Sequence, residues 1–159
     1  YYSMLMTQNL RYRKYLESKW YLMSVITAVL FFLSTPYLYF GLDKFLMIAA
    51  GAIFNIGFNT LFLLYAGSFN RKKIDLNASG LGNMQGTSAT QFLIIIPIMG
   101  LPMLLFWGFS SLFNFNAGII SIAIVGILGI AFKNYFMGLI EKKYIKDKYV
   151  TIHAFSQTT

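Results

Sequence analysis

The chain has 159 residues, of which 57% are hydrophobic and only 11% charged, and it carries a net charge of +8. A soluble domain of this size usually holds about 25% charged residues and has little use for uncharged runs near 20 residues, the length that crosses roughly 30 Å of hydrocarbon. A soluble globule is therefore set aside. The basic residues flank apolar runs, which assigns the charge to anionic headgroups and topology rather than to nucleic acid. The chain has no cysteine, which removes disulfides, thiol catalysis and cysteine metal sites.

Residues 1–20 hold Arg11, Arg13, Lys14 and Lys19 with one acid, Glu17. Tyr12, Tyr15, Leu16 and Trp20 fall on one helical face, which predicts an amphipathic helix at the cytoplasmic membrane interface. The opening Tyr1-Tyr2-Ser3 has no initiator Met and reads as the start of a fragment of a longer polytopic chain; loss of the Met alone is the other reading. The 21–140 region predicts four spans, at about 21–40, 45–66, 92–112 and 118–136. Pro36 lies near the far end of the first, where it kinks or ends a helix at low cost. Gly41-Leu42-Asp43-Lys44 is so short a link that the second span must run antiparallel beside the first.

The second span carries Gly51, Asn55 and Asn59 at i, i+4 and i+8. Lipid offers an asparagine no hydrogen-bond partner, so this stripe is expected to face protein or a wet cavity. It serves either as helix–helix glue or as the polar wall of a transport path. The third span holds Pro97 and Pro102, which predicts a kinked or locally unwound helix. Broken helices line substrate sites in transporters, but proline is also common in membrane helices. The fourth span is rich in small residues (Gly118, Ser121, Ala123, Gly126, Gly129), which suits close packing against a further helix or a second copy. Lys133 stands near its inner end, where snorkelling is the simple account and a buried functional lysine the other.

The interior polar segment 67–91 contains Arg71, Lys72 and Lys73, and the tail 141–159 is basic again. In a four-span arrangement every Lys and Arg except Lys44 falls on one side. The positive-inside rule makes that side cytoplasmic, with both termini on it. The expected architecture is an all-α polytopic protein of the bacterial inner membrane, embedded in lipid.

No phosphate-binding loop, H-E-x-x-H or G-x-S-x-G occurs. The acids Glu17, Asp43, Asp75, Glu141 and Asp147 all lie outside the apolar runs, and His153 stands alone in the tail. An intramembrane enzyme or proton pump would need an ionisable group within the bilayer. The chain is read as a non-enzyme without cofactor or metal.

Several segments carry a resemblance. They are Tyr15-Leu16, the Asn55/Gly57/Asn59 stripe, Phe69-Asn70-Arg71-Lys72-Lys73-Ile74-Asp75-Leu76, Asn83-Met84-Gln85-Gly86, and Ala89-Thr90-Gln91-Phe92-Leu93 followed by Pro97. Together with the closing Lys148-Tyr149 and Ala154-Phe155, they resemble the C-terminal part of a family of uncharacterised bacterial polytopic membrane proteins, itself similar to the permease half of ABC-2-type exporters. Gly82 departs from its usual aromatic. The resemblance implies a permease without its own ATPase, served by a separate ATP-binding-cassette subunit. Arg71, Lys72, Lys73 and Asp75 are then docking candidates, and Asn55, Asn59, Pro97 and Pro102 candidates for the path or for packing. A non-transporting scaffold or assembly factor is the rival reading.

Overall fold

The structure, a computed structural model, describes residues 12–68 and 89–156, with side chains described for 12–68 and 94–146. Among the described residues every regular element is helical. Helix α1 spans Tyr12–Leu33, and α2 spans Leu42–Gly67. Helix α3 spans Ala89–Leu112, α4 Phe115–Ala131 and α5 Lys133–Ser156.

Helix α1 joins the expected interfacial helix and the first span into one piece. It also ends earlier than the expected 21–40 span. Pro36 disfavours α geometry at the residue before it, and Thr35–Phe40 winds on as a 3-10 helix. The Ser34 hydroxyl donates to the Phe31 carbonyl at 2.7 Å, which occupies one of the orphan acceptors at the helix end. Gly41 then turns the chain at φ 119°, a conformation that favours glycine. Helix α2 returns antiparallel to α1, as Phe31 against Phe45 shows, with ring centroids 5.4 Å apart.

Helix α3 runs as unbroken α-helix through both Pro97 and Pro102, so the expected local unwinding is not present. The helix packs one face on α4, and proline within membrane helices is tolerated where neighbouring helices support the backbone. Asn114 caps α4, its side-chain oxygen accepting from the Ala117 amide at 2.8 Å. Phe106 meets Phe115 edge-on at 5.4 Å across this hairpin.

The expected fourth span at 118–136 is not one helix. Phe132 leaves helical geometry at φ −91° and ψ 12°, and α5 departs at 65° to α4. Helix α4 has 17 residues, about 25 Å, short of a full crossing by itself. By length and composition three helices suffice to cross a membrane, and a fourth crossing requires α4 and the start of α5 to act as one bent span.

Two apolar clusters hold the helices together. One gathers Ala50 and Phe54 of α2 with Ile119 and Ile122 of α4, and Leu101, Leu105 and Phe106 of α3 pack against it. The other gathers Leu16 of α1, Leu61 and Leu64 of α2, and Met137 and Ile140 of α5. The predicted face of α1 is thus partly turned inward: Leu16 is fully buried, and Trp20 packs on the same cluster. Large apolar side chains such as Phe32, Met103, Leu104 and Trp107 cover the outside. That is an unfavourable surface in water and the expected one in lipid.

Candidate polar site in the membrane helices

The centre of α2 is a single wide turn, Asn55–Asn59, with π-helical bonding. The Thr60 amide donates to the Asn55 carbonyl five residues back, and the Thr60 hydroxyl donates to the same oxygen at 2.8 Å. One extra residue in a turn re-phases the helix by about 100°. Ala50 and Phe54 therefore serve the α3–α4 cluster, while Leu61 and Leu64 serve the α1–α5 cluster. Such turns are frequent at functional positions.

Asn55 and Asn59 both lie on this turn, and the Asn59 amide donates to the Asn55 side-chain oxygen at 2.6 Å. Asn55 is exposed and Asn59 half-buried. The Asn59 oxygen is buried and accepts nothing. Within the 26-residue helix, Asn55 is near the midpoint, about 20 Å from either end. The pair is therefore a polar spot at the middle of the helix with unused hydrogen-bonding capacity. Trp20 of α1, packed on the Leu16, Leu61 and Leu64 cluster, has a buried indole N–H that also lacks a partner.

On the same turn Gly57 packs directly on the backbone of α4. A Cβ built on Gly57 would fall onto the Gly126 carbonyl oxygen, and one on Gly126 would stand 2.6 Å from the Phe54 amide nitrogen. The small-residue face expected to receive a further helix is here filled by α2 of the same chain.

The two candidate pairs are not brought together. The asparagines bond to each other, whereas Pro97 and Pro102 lie on α3, and among the described residues no hydrogen bond or apolar cluster joins the pairs. The docking candidates Arg71, Lys72, Lys73 and Asp75, and the Asn83-Met84-Gln85-Gly86 element, lie outside the described residues.

Sequence reasoning missed one feature. Lys133, at the α4–α5 break, places its Nζ 3.7 Å from the centre of the Trp20 ring. In the sequence the two residues carry no mark of a contact beyond standing at the ends of apolar runs. The contact sets the end of α4 level with the point where α1 changes from charged to apolar. Among the described residues no three potential metal ligands converge.

Among the described residues the elements are all helical, several are long and apolar enough to cross a membrane, and the exterior suits lipid, which is the character of a helical membrane protein. The chain belongs to a family of unknown function, DUF5687, whose model matches residues 1–158. No curated protein and no solved structure matches it.

Proposed function

We propose that the chain is an integral membrane transport subunit, the permease part of an ABC-type exporter, working with a separate ATPase in the bacterial inner membrane. The observation that carries the reading is the Asn55–Asn59 pair. An exposed amide at the middle of a membrane helix needs protein or water against it, since hydrocarbon leaves it unpaired. A wide turn at that point supplies a local irregularity of the kind that lines cavities. The resemblance to ABC-2-type permeases supplies the ATPase partner. In this arrangement α4 and the start of α5 form the fourth crossing, both termini are cytoplasmic, and the basic 71–73 triplet faces the ATPase.

One observation favours a scaffold instead. The two amides partly satisfy each other at 2.6 Å, leaving few groups for a path and enough to bind one neighbouring helix. The experiment is purification of the intact protein in mild detergent, with mass spectrometry of its partners and an ATPase assay of the eluate. The permease reading expects a co-purifying ATP-binding-cassette ATPase whose activity falls when Arg71, Lys72 and Lys73 become Ala. A clean preparation without ATPase would overturn it in favour of the scaffold.

A further inference from the structure

A groove of about 730 Å³ lies between α1 and the start of α5. Its polar end holds Lys14, Glu17 and Ser18 of α1, with Lys133 across from them. From there it continues along α1 past Tyr21, Leu22 and Val25. Lys14, Ser18 and Leu22 are spaced at i, i+4 and i+8, and Tyr21 and Val25 at i and i+4, so they form one strip along the helix. From Lys14 to Val25 the strip rises about 16 Å. It is cationic at one end and apolar at the other. Tyr21, Leu22 and Val25 are all exposed.

The charge at the polar end is organised. Glu17 would repel an anion, but the Arg13 Nε sits 3.0 Å from its carboxylate and offsets it. Lys133 is half-buried, and its ammonium lies over the Trp20 ring, 3.7 Å from the ring centre, which favours this position of the charge. Resting on a ring face leaves its N–H donors available to a ligand. Lys14 has no acid within salt-bridge distance among the described residues.

The geometry points to a binding site for one anionic phospholipid, with its phosphate between Lys14 and Lys133 and an acyl chain along Leu22 and Val25. A free phosphate would use the lysines but has no use for the apolar strip, so the lipid is the occupant that fits the whole groove. Such a molecule would bridge the charged start of α1 and the α4–α5 break. This site is independent of whether the chain transports anything.

The test uses the intact protein in detergent. Bound lipid is read by native mass spectrometry and by the shift in thermal unfolding on adding phosphatidylglycerol, phosphatidylcholine or inorganic phosphate. Phosphatidylglycerol is expected to bind and stabilise, and the other two are not. Lys14→Gln with Lys133→Gln should weaken phosphatidylglycerol roughly 30-fold, about fivefold per lysine. Lys133→Arg keeps the charge and the ring contact and should restore most of the binding, which separates a site from a folding defect. Lys142→Gln with Lys146→Gln removes the same charge elsewhere on α5 and should leave binding unchanged. Equal stabilisation by phosphatidylcholine, an equal effect of inorganic phosphate, or equal losses in the two double variants would each overturn the assignment.

Discussion

A Cβ on Gly129 would stand 2.6 Å from the carbonyl carbon of Gly57. With Gly126 against Phe54, this makes the α2–α4 crossing a backbone-to-backbone contact. In hydrocarbon there is little hydrophobic gain from joining helices, so close packing of this kind carries the association. Gly126→Val or Gly129→Val is therefore expected to cost about 1–3 kcal/mol or to separate the helices. Gly138→Ala is the control, because nothing lies within 4 Å of its added Cβ. It should be neutral or stabilising by up to about 1 kcal/mol. Unfolding in mixed micelles measures both.

The positions of α2 and α3 were legible because the body of each (45–67 and 89–112) is an uncharged run, with Asp43 and Lys44 in the first turn of α2 and the polar 67–91 segment between the two. The stop of α1 was half legible: Pro36 marks the region, but the α-helix ends at Leu33, ahead of the 3-10 segment Thr35–Phe40 that carries the proline near its start. The break at Phe132 was only partly legible: Lys133-Asn134 interrupt the apolar run there, but Tyr135 and Phe136 resume it, so composition alone does not separate an interrupted span from a bend. The asparagine stripe was readable from spacing alone. The wide turn beneath it was not, since it follows from α2 serving two clusters on different faces. Gly126 and Gly129 announced close packing, but which helix would fill that face is a long-range fact.

The Lys133–Trp20 contact gives a second prediction. A cation over an indole is worth about 0.5–2 kcal/mol, more when water is excluded. A double-mutant cycle with Lys133→Met and Trp20→Leu should show a coupling in that range, measured by unfolding. A coupling near zero would mean that Lys133 only snorkels to the headgroups.

The number of crossings gives a third. The chain has no cysteine, so single cysteines report sidedness directly. Tyr39→Cys, at a site 92% exposed, should react in intact cells with a membrane-impermeant maleimide. Ser79→Cys should react only after permeabilisation. With four crossings Ser156→Cys behaves like Ser79→Cys; with three it is labelled from outside, and α5 lies on the outer face.

Thiol accessibility at Asn55 and Asn59 tests whether the two residues form a polar face in contact with water within the membrane. Asn55→Cys and Asn59→Cys would be made one at a time in the intact membrane-embedded protein and treated with a small, charged thiosulfonate. Met103→Cys, on the exposed apolar side of α3, serves as the lipid-facing control. Asn55→Cys is expected to react readily, Asn59→Cys more slowly because it is half-buried, and Met103→Cys hardly at all. If Asn55→Cys is as unreactive as Met103→Cys, the pair is sealed against another helix, and the polar turn is glue rather than the wall of a path.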